Sequence, residues 1–344
     1  MQGSIKKRSN LRDVAALSGV SVATVSRVLN TPQKVAPTTR ERVEAAIAEL
    51  KFVPSAAARA MNRGNSGMVA ALLPTLDNAI YARVVNGLEA RLTSDGLSLM
   101  VAQTKDDPAV ELQRAKQLIE IGAEALIVVG LSHDPGLFEL IERAQRPIVA
   151  ISYYDENSAI PTIGYDNWAA ATIAAQHLCE LGHKHIAVLH GATAHNDRMR
   201  QRKSALESQD LGLHFTFIDV GLSVEGGQAG VNQILEHHRS VTAMLCFSDV
   251  IAQGALHRLN ALGIAVPGDL SVMGIENLPS SQFTYPQLTS VRLSVERMGE
   301  LSAEAIISSL KTQTPPSSIN LPIELVQRAS TAGVSPRQTV FGKA

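Results

Sequence analysis

Apolar positions along this chain follow two rhythms, and the change falls in the sixties. From Leu11 to Leu50 they recur at helical spacing: Leu11, Val14 and Ala15, then Val20, Val25 and Val28, then Val43, Ile47 and Leu50. That is the pattern of short amphipathic helices packed together by one face. From Met68 onward, apolar runs alternate with amphipathic stretches. Runs at 68–74, 97–101, 125–130 and 147–151 form one series, and runs at 162–166, 186–189, 215–219, 243–249 and 271–275 a second. Short runs without alternation are what a strand shows when helices cover both of its faces. The pattern therefore predicts an all-α head followed by an α/β body of two doubly wound parallel-sheet subdomains. The ligand crevice of such a body lies outside the carboxyl ends of its strands.

Length and charge sharpen this picture. The 344 residues exceed one typical domain, and the formal net charge of −1 conceals a split. Residues 1–63 carry eleven Lys and Arg against four Asp and Glu, a net +7, which leaves −8 for the remainder. A basic head suits phosphates, whereas an acidic body does not adhere to DNA by itself.

The head contains two helices at helix-turn-helix spacing. Ala15 is small where the helices must nearly touch, Gly19 stands where the chain must turn, and Ser21 is a good N-cap for the second helix. Such a second helix lies in the major groove. Its exposed groups would be Val22, Ala23, Thr24, Ser26 and Arg27. Thr24 and Ser26 suit phosphates, Val22 and Ala23 suit thymine methyl groups, and Arg27 suits guanine or phosphate. After a loop at 31–37, Thr38 is expected to open a third helix with Glu41 as its capping-box partner. The segment 54–64 begins with proline, is rich in alanine and ends at Gly64; so short a helix is marginal alone.

These residues resemble the LacI/GalR (lactose-repressor) family of transcription regulators. The likeness rests on Asp13-Val14-Ala15, Gly19-Val20-Ser21 and Thr24 to Asn30, and then extends through most of the chain. It implies a DNA-binding domain over 1–63 with a hinge helix at 54–62. Asn30, Arg59 and Met61 then join the DNA-contacting set, Met61 as a minor-groove wedge where the family usually has leucine. It also implies a periplasmic-binding-protein-like core over 64–340 for effector binding and dimerisation. Its N-subdomain would span about 66–161 and 292–320, and its C-subdomain about 163–289 and 323–340.

The resemblance implies effector contacts at Asp77, Tyr81, Arg198, Asp249 and Asn277. Tyr81 is as readily plain core, Asp166 is favoured as an N-cap, and N-capping competes for Asp249. Arg198 opens the family pattern arginine, two residues, glycine, aromatic, two residues, alanine, leucine, with Gln201 and Arg202 replacing the glycine and the aromatic. Arg200, Arg202 and Lys203 either substitute for these or form a solvated charge run. Glu276 is placed at the crevice or its hinge, and Leu222 stands where sugar- and purine-responsive members often carry a stacking aromatic.

The sequence carries no phosphate-binding glycine loop, no metal-spaced His/Cys set and no nucleophile elbow. Cys179 and Cys246 suit core thiols, and His183, His185, His237 and His238 are read as structural. No cofactor, metal or enzymatic activity is expected, and no run reaches membrane-spanning length. The expected partners are pseudo-palindromic double-stranded operator DNA, a small-molecule effector (sugar, sugar acid or related metabolite) and a second copy of the chain. No heptad follows Val334, so a cytoplasmic homodimer is expected, most readily a repressor. The alternative is a solute-binding protein or enzyme with an accessory helix-turn-helix.

Overall fold

The computed structural model describes residues 9–53, 65–209, 211–238 and 240–334. The expected hinge helix, with Arg59 and Met61, lies outside the described residues. The chain divides into two compact units, Met1–Gly67 and Met68–Ala344.

In the first unit, α1 (Leu11–Ser18) begins at Asn10. The Asn10 side chain accepts from the Arg12 and Asp13 amides while Asp13 accepts from the Asn10 amide, forming a capping box. The helix ends at Gly19, whose φ of +64° is a left-handed conformation that glycine adopts freely. Ser21 Oγ then accepts from the Thr24 amide at 3.1 Å and opens α2 (Val22–Asn30). The third helix, α3 (Pro37–Glu49), starts two residues earlier than a Thr38 cap would place it and has no side-chain cap. Pro37 takes the first helical position, where its fixed φ fits and its missing N–H costs nothing, so Thr38 is not the cap. Val14, Val25 and Val43 are wholly excluded from solvent between the three helices, with Ala15, Val28 and Ala46 beside them.

The second unit contains two six-stranded sheets. The first combines β1 (Met68–Leu73), β2 (Ser98–Gln103), β3 (Ala123–Val129), β4 (Ile148–Ile151), β5 (Thr162–Gly164) and the late β11 (Ile319–Asn320), in the order β11-β5-β4-β3-β1-β2. The second combines β6 (His185–His190), β7 (His214–Asp219), β8 (Ala243–Cys246), β9 (Ser271–Glu276), β10 (Thr289–Leu293) and β12 (Ile323–Val326), in the order β12-β10-β9-β8-β6-β7. The two orders are copies of one another. They differ at the edge, where β11 runs parallel to β5 but β12 runs antiparallel to β10.

The apolar run at 162–166 pairs with β4, so it closes the first sheet instead of opening the second. The chain therefore passes between the sheets at 165–166, at 294 and at 321–322. The first two crossings come a few residues later than expected, because β5 and β10 are each consumed by the sheet they end.

One helix pair in each subdomain is packed backbone to backbone. Between α4 (Ala79–Ser94) and α11 (Val295–Thr312), a Cβ on Gly87 would lie 2.3 Å from the Glu296 carbonyl oxygen, and one on Gly299 would lie 2.4 Å from that of Val84. Between α9 (Val224–His237) and α10 (Asp249–Ala261), a Cβ on Gly227 would lie 2.0 Å from the Ile251 carbonyl oxygen. One on Gly254 would lie 2.0 Å from that of Val224. Only glycine permits such an approach.

Candidate functional site

The exposed face of α2 carries Val22, Ala23 and Arg27, with Thr24, Ser26 and Asn30 half-buried beside them. A hollow runs along this face, lined by Leu11, Val22, Ala23, Ser26, Arg27, Asn30 and Thr31. Thr24 shares a hydrogen bond with Ser21 at 2.9 Å, and the Asn30 amide donates to the Ser26 carbonyl at 2.9 Å. The polar groups of this face are thus held in place by short-range bonds. Arg27 extends outward with no carboxylate within ion-pair distance among the described residues.

In the second unit the two subdomains meet through the residues that follow their strands. Helix α8 (Asp197–Ser208) follows β6, and its first turn reaches across the crevice. Asp197 accepts from the Leu131 amide, just beyond β3. Arg198 donates to Asp106 beyond β2 at 3.0 Å and to Asp197 at 2.9 Å, and Arg200 donates to Ser132 at 2.7 Å. Burial works against the Arg198 charge, yet Tyr81, Asp197 and Asp106 together hold its pKa above the ordinary value. Tyr81 lies half-buried in the field of Arg198, and burial pushes its phenol up.

Below this layer Arg202 is 2% exposed. It donates to the Asn167 side-chain oxygen at 3.0 Å and to the Phe247 carbonyl at 2.5 Å, so the solvated-run alternative fails for this residue. A cation among strand ends is drawn in by carbonyl and amide oxygens. Asn167 in turn donates to the Ser152 carbonyl at 3.0 Å, tying the first crossing to the end of β4. Glu276, at the end of β9, accepts from Ser248 at 2.9 Å. Burial and the nearby Asp249 push its carboxyl up to about 8.

The chain is similar along nearly its whole length to the HTH-type transcriptional repressor PurR of Actinobacillus pleuropneumoniae. The two are 30% identical over 334 residues, covering 95% of this chain and 99% of that one. The chain belongs to the LacI family. Residues 10–55 match the model for bacterial regulatory proteins of the lacI family, and residues 175–331 match a periplasmic binding protein-like domain. The HTH-type transcriptional regulator MalR of Streptomyces coelicolor is 32% identical over 94% of this LacI-family chain and 97% of its own.

Solved structures agree. A LacI-family transcriptional regulator from Silicibacter pomeroyi superposes with a TM-score of 0.85 at 25% identity, over 94% of this chain and 99% of that one. The lac repressor dimer bound to operator and the anti-inducer ONPF superposes with a TM-score of 0.82 at 26% identity, over 95% and 100%. The LacI-family protein is accordingly a DNA-binding transcriptional regulator of helix-turn-helix type.

The five effector candidates of this LacI-family chain do not converge on one point. Tyr81 and Arg198 share the crevice. Asp77 is exposed on the loop before α4, where Asn78 caps the helix. Asn277 accepts from Arg328 at 2.7 Å and lines a separate cavity of about 600 Å³ with Arg83 and Arg292. Asp249 is fully buried, but Ser248 caps α10 in its place. The Asp249 carboxylate accepts from the Leu278 amide at 2.8 Å, Ser281 at 2.5 Å and Ser290 at 2.6 Å. Asp106 and Asp197 were not singled out as crevice contacts from the sequence. The available signal was position alone, since each follows within a few residues of a strand.

Proposed function

We propose that the protein binds a pseudo-palindromic operator as a homodimer and represses transcription from it, with a small molecule in the interdomain crevice setting its affinity. The observation that carries this reading is the uncovered face of α2 on a head of net charge +7. Arg27, Ser26, Val22 and Ala23 occupy the part of a helix-turn-helix that enters the major groove, with Thr24 and Asn30 beside them. Arg59 and Met61 are assigned to the adjoining minor groove on the family resemblance. A dimer is supported by Phe283 and Tyr285, 81% and 93% exposed in one loop of the second unit, since exposed apolar groups of this size mark association surfaces. Two-fold symmetry in the protein then matches two half-sites in the operator.

The effector part of the reading rests on the buried Arg198 and the half-buried Tyr81 between strand ends that hydrogen bonds bridge from one subdomain to the other. A ligand that favours one arrangement of the subdomains changes operator affinity by its differential affinity, typically about 1–3 kcal/mol.

Selection of bound duplexes from a random pool, followed by gel shift and footprinting with the full chain, tests the reading. A symmetric pair of half-sites is the expected result. Retention of no sequence above the non-specific background, or of a single asymmetric half-site, overturns it.

A further inference from the structure

Two arginines one helical turn apart on α8 lie at the strand ends that face the crevice, and their charges are balanced differently. Arg198 has Asp197 from its own helix and Asp106 from the opposite subdomain. Arg202 has no carboxylate within ion-pair distance among the described residues; its two hydrogen bonds go to neutral oxygens of Asn167 and Phe247. Burial works against the Arg202 charge, and Tyr165 and Glu276 support it only through their field, Glu276 Oε2 accepting from Ser248 instead. A buried guanidinium with no carboxylate bonded directly to it is costly, and native proteins commonly supply such a partner.

Asp106 is built to be displaced. Its side chain is 34% exposed while that of Arg198 is 6% exposed. It also stands second in a pair of consecutive non-glycine residues with left-handed backbone, Lys105 at φ +60° and Asp106 at φ +53°. Such backbone costs energy in residues with a Cβ and persists where surrounding contacts hold it. The bond to Arg198 is one such contact, and it crosses the crevice.

Resting on the effector reading above, we propose that the ligand is a polyhydroxylated monocarboxylate, a sugar acid, whose carboxylate replaces that of Asp106 on Arg198 and lies toward Arg202. The exchange keeps the charge on Arg198 constant and brings a carboxylate toward Arg202, whose hydrogen bonds otherwise go to neutral oxygens. One guanidinium with no carboxylate bonded to it takes one further negative charge, which favours a carboxylate over a bisphosphate. Guanidinium also presents the parallel donors that a carboxylate accepts. The phenols of Tyr81 and Tyr153 and the hydroxyl of Ser132 follow strand ends of the first subdomain, where the hydroxyl groups of a polyol find partners. Asp106 is thus the protein's own occupant of a carboxylate position.

Titration calorimetry of the full chain with D-gluconate, D-glucuronate and D-galacturonate, each against neutral D-glucose and D-galactose, tests the proposal. At least one acid is expected to bind about tenfold or more tightly than its neutral parent. Asp106→Asn should raise that acid-to-neutral ratio by removing the competing charge, and Arg202→Met should collapse it. Because Arg202→Met can fail to fold, Arg202→Lys provides the second arm and should retain a preference for the acid. Equal or tighter binding of a neutral sugar, binding of none of the five, or a ratio unmoved by Asp106→Asn overturns the proposal. A selected operator complex measured alongside separates the two readings. A complex shifted by a neutral sugar alone leaves effector control standing and removes the sugar acid, whereas a chain that retains no operator removes the regulatory reading itself.

Discussion

Arg42 Nη2 donates to the Ser18 carbonyl oxygen at 2.5 Å and to that of Gly19 at 3.3 Å, so the third helix grips the turn between the two reading helices. These carbonyls end α1 and have no continuing helix to bond them. The charge-assisted bonds hold Gly19 in its left-handed conformation, and with it the angle at which α2 leaves. Arg42→Ala is expected to lower the stability of the head by about 1 kcal/mol, discounted from a fully buried case because Arg42 is exposed. Thermal melting followed by circular dichroism checks this, and a melt unchanged from wild type would remove Arg42 from the turn.

Arg27 extends from the last turn of α2, and no ion pair involving it is found among the described residues. Its loss should therefore leave the head folded while weakening the operator complex. An arginine on a guanine edge contributes about 1–3 kcal/mol of discrimination, roughly a five- to 150-fold loss of affinity. If Arg27 contacts a phosphate instead, Arg27→Ala lowers binding to all sequences alike and reduces the salt slope by about one. Gel shifts on selected and scrambled duplexes at several salt concentrations distinguish the two. Unchanged affinity at every salt concentration would contradict the placement of α2 in the groove.

Asp249 organises three donors inside the second subdomain, the Leu278 amide and the hydroxyls of Ser281 and Ser290. Removing the carboxylate leaves these buried groups without their acceptor, at about 1–3 kcal/mol for an unsatisfied group. Asp249→Ala is therefore expected to lower the melting temperature of the body as well as any ligand response. A variant that melts like wild type and loses the ligand response alone would show that Asp249 serves the ligand and not the loop.

Glu276 gives the stability a definite pH dependence. Burial raises its folded pKa from 4.5 to about 8, so between these values the folded protein holds a proton that the unfolded chain has released. Stability from this group is full below the unfolded pKa and falls as pH rises through that window. Glu276→Gln should raise the melting temperature more at pH 8 than at pH 5, where both forms are neutral. An equal shift at the two pH values would mean that Glu276 is ionised throughout.

The periodicities of the sequence located both sheets and all three helices of the head because burial on one or two faces writes itself directly into the apolar pattern. β10, β11 and β12 were not read from that pattern. β11 is two residues long, and β12 is an antiparallel edge strand with no fully buried position. Thr289 and Ser290 in β10 are buried polar residues satisfied by long-range bonds, including Ser290 to Asp249. Nothing local announces those bonds. The crevice shows the same limit. Arg198 was legible by its spacing to Ala205-Leu206, but the Asp106 that meets it comes from 92 residues earlier. Arg202 read equally well as a solvated charge because its acceptors lie on Asn167 and on the backbone of Phe247.

The glycine contacts of α4 with α11 and of α9 with α10 also decide where the body can bend. With carbonyl oxygens against Cα atoms, neither helix pair has a layer of side chains to shear through, and each subdomain is stiff along its largest helix contact. Relative rotation of the two halves must then be absorbed by backbone torsions at 165–166, 294 and 321–322. Three covalent strands spaced along one side restrict a rotation more than one strand would, leaving opening and closing as the soft coordinate. The hydrogen bonds of Asp106, Ser132 and Asn167 are the stops on that coordinate.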